Sequence, residues 1–278
     1  MNDGQDGGMA RRERLPADYQ LRAHGSRGPI PERLPLVHVT AVWPANEILK
    51  SGKLETRYCK VFKRPLLYFF ILRPAYRSKH SDRKSHQLSR FPVVFILRPE
   101  AAEPPFHVYP FDTGGAAAGA FAMQADPYVC LEDYELEPTF EAASGHIGWA
   151  FGTVDAYFEG HLRTDVLEGV PEFESVTRGY VDVARMGRKG SNQHDKRASA
   201  SEVAVSRDVD LKGNVLLAIL PKQYLEARSG PNAALMKTLN DLEIEFEPYD
   251  WQPNTSPDEF QDKISSIARS WLQREGWL

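Results

Sequence analysis

Leu36-Val37-His38-Val39-Thr40-Ala41-Val42-Trp43-Pro44-Ala45-Asn46-Glu47-Ile48-Leu49-Lys50-Ser51-Gly52 is the stretch on which the fold turns. Its first five residues are apolar and β-branched for the most part, which predicts a strand. Pro44 stands at an early helical position, Ile48 and Leu49 supply an apolar face, and Gly52 suits a C-terminal cap. Residues 43–51 therefore read as a short helix directly after the first strand. Ordered sequence begins near Leu34, and the polar residues 1–33 are expected to be a disordered arm.

The pattern continues outward from there. Leu66 to Leu72 (LLYFFIL) is an apolar run of strand length, as in a strand buried on both faces. Pro92 to Leu97 is a second such strand, with Pro92 at its start, and Phe106 to Phe111 is a third. The pentapeptide Phe-Ile-Leu-Arg-Pro occurs at 70–74 and again at 95–99. It reads as two strands leaving a core in the same chemical way, not as a domain repeat. Polar, basic residues 78–90 and 186–201 read as exposed loops, and Gly114 to Ala122 as small and flexible. Residues 144–165 are expected to include a helix with a broad apolar face. Strands are expected at Glu202–Val205, Val215–Leu220 and Leu242–Phe246, and helices at 231–241 and 257–272, the last capped by Ser256 or Asp258. The class is α+β, with one domain over 34–278 that ends in a helix.

A chain of 278 residues buries enough surface to fold without a staple. Its net charge of −4 excludes an indiscriminate nucleic-acid coat. The charge is uneven. Residues 57–90 hold ten Lys/Arg and one Asp, and 185–197 hold five against one, leaving −17 for the remainder. The two basic stretches are either solvated loops or the wall of an electropositive cleft for an anionic substrate. Cys59 and Cys130 lack a metal-ligand spacing, which fits a reducing cytoplasm. The scattered histidines make no metal pair, so no metal is expected. Neither a run of eighteen apolar residues nor a signal-peptide core is present, so no membrane partner is expected. A GxGxxG turn and a phosphate loop are both absent.

Three positions stand out chemically. His38 and Thr40 alternate on one strand and share a face, as a ligand-facing pair or as a core histidine bonded to backbone. Arg73 lies where a buried strand emerges, able to fork onto a phosphate or simply to reach solvent; Arg98 has the same context and competes with it. Glu202 opens a strand after a basic loop.

Together these residues resemble a known family. Val37-His38-Val39-Thr40 with Ile48-Leu49-Lys50-Ser51-Gly52-Lys53-Leu54 is similar to the opening of NAD-using ADP-ribosyltransferases, most of all the DarT-type DNA ADP-ribosyltransferases. It also looks like the tRNA 2′-phosphotransferases that share the fold. Leu67-Tyr68-Phe69-Phe70 leading to Arg73-Pro74 resembles the strand bearing the family's arginine. Arg197-Ala198-Ser199-Ala200-Ser201-Glu202-Val203 resembles the loop and strand bearing its glutamate. The resemblance implies a split mixed β-sheet core with flanking helices. It implies NAD+ as substrate, Glu202 and Arg73 as catalytic residues, and His38, Thr40 and Tyr68 or Tyr76 as NAD-binding ones. It implies a macromolecular acceptor, DNA or RNA, and a bacterial toxin or antiphage effector with an antitoxin or defence-system partner. Ala200 stands where arginine-modifying members carry an acidic or amide residue, which disfavours protein arginine as acceptor. Residues 100–140 have no counterpart. The rival expectations are an NAD+ glycohydrolase on the same fold, an RNA 2′-phosphotransferase, and a non-catalytic nucleic-acid or protein binding module.

Overall fold

The computed structural model describes residues 8–11, 20–21, 30–75, 84–122, 124, 128–188, 194–227 and 230–278. The strands are β1 (Leu36–Ala41), β2 (Lys53–Leu54), β3 (Arg57–Cys59), β4 (Arg64–Ile71), β5 (Pro92–Leu97), β6 (His107–Tyr109), β7 (Glu202–Val205), β8 (Val209–Asp210), β9 (Val215–Pro221), β10 (Glu226–Ala227), β11 (Gly230–Pro231) and β12 (Glu245–Tyr249). The helices are α1 (Val42–Ser51), α2 (Thr113–Ala117), α3 (Phe140–Phe151), α4 (Val154–Glu159), α5 (Ser175–Arg185), α6 (Lys222–Leu225), α7 (Ala233–Asp241) and α8 (Gln261–Arg274). The class is α+β. Among the described residues, no helix is long and apolar enough to cross a membrane.

The chain packs as two compact units, each drawn from separate segments. The first gathers the described residues up to Arg33 with Tyr58–Arg64 and Pro104–Ala204. The second gathers Leu34–Arg57, Pro65–Glu103 and Val205–Leu278. The span 34–278, read from sequence as one domain, is thus shared between them.

In the second unit five strands run in the order β12-β9-β5-β1-β4. β1 is antiparallel to β4 and β5, and β9 is antiparallel to β5 but parallel to β12. All six residues of β5 are buried. That burial explains the unbroken apolar runs, since a central strand covered on both faces has no polar side to present. Each large apolar side chain so buried contributes about 2 kcal/mol. Parallel pairing of β9 with β12 requires a crossover, which α6 and α7 supply. α1 ends as the sequence predicts: Gly52 takes φ +71 and donates its N–H to the Ile48 carbonyl at 2.9 Å. α8 buries Ile264, Ala268, Trp271 and Leu272, and the turn before it is closed by a reciprocal Ser256–Glu259 box.

In the first unit β6 and β7 pair antiparallel, with Tyr109 opposite Glu202. Helices α3, α4 and α5 bury Phe140, Ile147, Tyr157, Tyr180 and Val183 among others.

Several sequence expectations are corrected. The stretch 144–165, expected to include a helix, holds parts of two, because Gly152 turns to φ +79 and Thr153 caps a new start by accepting from Ala156 N–H at 3.1 Å. The strand expected at 242–246 lies at 245–249. Leu242 instead closes α7, with Glu243 at φ +58, and pairing with β9 begins at Glu245. The expected strand 106–111 shortens to β6. The exposed loop expected over 186–201 fails at its end, where Arg197 to Ser201 are all buried. Most of the expected disordered arm lies outside the described residues. Gln20 and Leu21 are buried, Met9 N–H donates to the Ala116 carbonyl at 3.0 Å, and Leu131 N–H donates to that of Ala10 at 3.0 Å.

Candidate active site

On β1, His38 is half-buried and its Nδ1 lies 3.0 Å from the Tyr68 carbonyl oxygen on β4. A carbonyl only accepts, so Nδ1 carries the proton. Burial, then the nearby Arg57 charge, hold the ring below the usual histidine range and so neutral. Nε2 is therefore left with its lone pair as an acceptor. The reading of His38 as a histidine bonded to backbone is what the structure shows. Thr40 is also half-buried and lies on the same strand face by alternation. Tyr68 is half-buried on β4. Tyr76 lies outside the described residues.

Arg73 follows β4 and is only 3% exposed. Two tight turns flank it. Arg73 N–H donates to the Ile71 carbonyl at 2.6 Å across Leu72, and Ala75 N–H to the Arg73 carbonyl at 2.8 Å across Pro74. Leu72, fully buried, has φ +59, which costs a side-chain-bearing residue about 1–3 kcal/mol. The Leu72 N–H is tied to the Pro35 carbonyl at 2.7 Å, which helps hold that conformation. Arg98, in the same pentapeptide, follows an uninterrupted strand and is exposed. Identical local sequence thus yields one buried and one solvent-facing guanidinium.

Glu202, at the first residue of β7, belongs to the first unit. It is 3% exposed. The Thr113 hydroxyl donates to its Oε1 at 2.5 Å and the Thr113 N–H to its Oε2 at 3.3 Å. Burial raises its pKa well above the ordinary carboxylate range; the Asp112 charge adds to this, and the Thr113 bonds oppose it. Asp112 Oδ1 accepts from Gly114 N–H at 2.9 Å, capping α2. Its Oδ2 receives Arg197 Nη1 at 2.6 Å. Arg197 in turn forks onto Asp195, Nε to Oδ1 at 2.9 Å and Nη2 to Oδ2 at 2.5 Å. His107 Nε2 stands 3.6 Å from Glu202 Oε1. Burial, then Arg11, push that histidine down to about 3, so it faces Glu202 as a neutral ring and not as a counter-ion.

No family model and no curated protein matches the chain.

The structure brings His38 and Tyr68 together and sets Arg73 just beyond the strand that carries Tyr68. It surrounds Glu202 with Asp112, Thr113, His107 and Arg197, none of which sequence reasoning singled out for this purpose. The missed signal was Phe111-Asp112-Thr113-Gly114-Gly115, where an aspartate N-cap precedes a glycine-containing turn of helix. These residues lie in the 100–140 stretch for which the resemblance gave no role. The basic stretches also change meaning. Arg197 is buried against two aspartates and Arg185 pairs with Asp182 at 2.6 Å. Arg57, Lys60, Lys63 and Arg64, by contrast, are exposed and, among the described residues, make no ion pair. Among the described residues no group of three or more His, Cys, Asp or Glu is arranged to hold a metal.

Proposed function

We propose that the protein is an ADP-ribosyltransferase that moves ADP-ribose from NAD+ to a macromolecular acceptor, with nucleic acid the preferred class. The observation that carries the reading is Glu202, a buried carboxyl at a strand start with both oxygens held by Thr113. Cleavage of the nicotinamide–ribose bond leaves positive charge on the sugar, as in glycoside chemistry. A fixed carboxylate beside the ribose stabilises that charge and accepts a ribose hydroxyl. Its present partner, a hydroxyl, is of the same chemical kind.

The other roles follow residue by residue. Neutral His38 offers Nε2 as an acceptor for a sugar hydroxyl, with Thr40 beside it on the strand. Arg73, not Arg98, is the guanidinium for the pyrophosphate, because it is buried at the end of β4 where Arg98 is exposed to solvent. Tyr68 supplies an aromatic face. The glycosidic bond breaks with its electron pair going to nicotinamide, the acceptor nucleophile bonds to the anomeric carbon, and the acceptor proton passes to solvent. The exposed cations Arg57, Lys60, Lys63 and Arg64 suit an anionic acceptor.

Incubation with labelled NAD+ and separate DNA, RNA and protein pools tests this. Nicotinamide release with label retained on one pool is expected, and it is lost in Glu202→Gln. Free ADP-ribose alone identifies a glycohydrolase. Absence of nicotinamide release with every pool sinks the reading.

A further inference from the structure

We propose that Thr113 is a positioning residue for Glu202, and that the Asp112–Arg197–Asp195 chain of ion pairs is the buttress that fixes the turn carrying it. This assignment rests on the transferase reading above; Asp112, Thr113 and Asp195 lie outside every motif that suggested that reading.

A residue that opens a short helix ordinarily serves the helix. Here that duty belongs to Asp112, whose Oδ1 accepts the Gly114 N–H. Thr113 directs its hydroxyl to Glu202 Oε1 at 2.5 Å instead, and its amide to Oε2. One residue thus addresses both oxygens of the carboxyl and leaves the group little freedom to rotate. The 2.5 Å separation is in the range of a hydroxyl donating to a charged oxygen. Such a bond favours the ionised form that the chemistry needs.

The turn is itself held. Asp112 Oδ2 meets Arg197 Nη1 at 2.6 Å, and Arg197 spends its remaining fork on Asp195. The Asp112 N–H donates to the Arg197 carbonyl at 3.2 Å, so the two segments are stitched by backbone as well. Gly115 allows the approach: a Cβ there would stand 3.1 Å from Asp112 Oδ2 and 3.2 Å from Arg197 Nη1. The charged and titratable groups around Glu202 are then Asp112 from the turn before α2, Arg197 and Asp195 from the segment before β7, and His107 and Tyr109 from β6. Two carboxylates share Arg197, and neutral His107 adds no charge. A single hydroxyl donor is therefore a large part of what favours ionised Glu202.

The test compares Thr113→Val, Thr113→Ala and Thr113→Ser. Loss of one hydrogen bond to a charged group lowers the rate about tenfold to a hundredfold. Val and Ala are expected to lose that much kcat for nicotinamide release with KM for NAD+ unchanged, and to shift the acidic limb of the rate profile to higher pH. Ser, which keeps the hydroxyl, is expected to restore both. Infrared titration of Glu202 reads the same effect without turnover. The protonated-carboxyl band, identified by its loss in Glu202→Gln, should persist to higher pH in Val and Ala than in wild type or Ser. An unshifted band and wild-type kcat in both Val and Ala overturn the assignment. If wild type releases no nicotinamide, the transferase reading falls, and the infrared midpoints alone decide whether Thr113 holds Glu202; if they do not move, the assignment falls with it.

Discussion

His146→Leu isolates the energetic cost of a single buried imidazole. His146 lies on α3, fully buried, its ring 4.7 Å from that of Tyr180 and 5.5 Å from that of Trp149. Neither ring nitrogen has a hydrogen-bond partner among the described residues. Burial alone pushes its pKa down to about 3 from an ordinary 6.5. The unfolded chain therefore takes up a proton here as pH falls below 6.5, and the folded chain does not. The stability tied to this group is present above pH 6.5 and drains away on acidification towards 3. With 1.36 kcal/mol per pH unit, the loss between pH 7 and pH 4.5 is roughly 2–3 kcal/mol. Leucine fills the site and takes up no proton. At pH 7 it should already stabilise by about 1–3 kcal/mol, since two unsatisfied buried groups disappear. Urea unfolding followed by tryptophan fluorescence at pH 7, 5.5 and 4.5 reads the difference directly. His107 contributes its own acid loss to both proteins and cancels in the comparison. Parallel stability–pH curves for wild type and variant would falsify the idea that His146 is a neutral, unpartnered ring.

Other outcomes follow from the same structure. Glu202→Gln should abolish nicotinamide release. It should also gain stability relative to wild type as pH rises. A raised carboxyl pKa confers stability that is fully present below the unfolded value and lost on the way up to the folded one, and glutamine has no such loss. Arg73→Ala should raise KM for NAD+ by tenfold or more on the order of one charged hydrogen bond, while Arg98→Ala leaves KM within about twofold; equal effects would remove the preference for Arg73. Gly8→Ala forces a Cβ to 2.2 Å from the Ala117 carbonyl oxygen. That should loosen the docked Gly8–Arg11 segment by about 1–3 kcal/mol and show as faster limited proteolysis near the N-terminus.

The strands β5 and β9 were readable because a sheet strand covered on both faces is apolar almost throughout, and β4 because its run Leu66–Ile71 is apolar although Tyr68 and Phe70 are only half-buried. Gly52 was readable because a helix end has a local chemical signature. His38 and Thr40 were found by alternation, but the bond to the Tyr68 carbonyl depends on strand pairing, which no local window contains. The burial of Arg197 was missed for a related reason. A basic, glycine-containing stretch looks solvated until two aspartates, one of them 85 residues away, are found to neutralise it. The pentapeptide at 70–74 and 95–99 makes the limit explicit: identical residues give Leu72 a left-handed conformation and leave Leu97 in a strand. What separates them is an anchor elsewhere, the Pro35 carbonyl that fixes Leu72 N–H.

The strand order of the second unit also governs the timing of its assembly. β9 lies between β5 and β12, yet the chain leaves β5 at Leu97 and reaches β9 only at Val215. During synthesis β1, β4 and β5 emerge first with an unfilled hydrogen-bonding edge along β5, and they keep it until residue 221 is made. Closing a loop of that length is entropically slow, and an apolar, uncovered strand edge is the usual starting point of misassociation. Pro104–Ala204 is synthesised in that interval. Slow translation or a chaperone acting before residue 215 should therefore raise soluble yield more than the same intervention after residue 250.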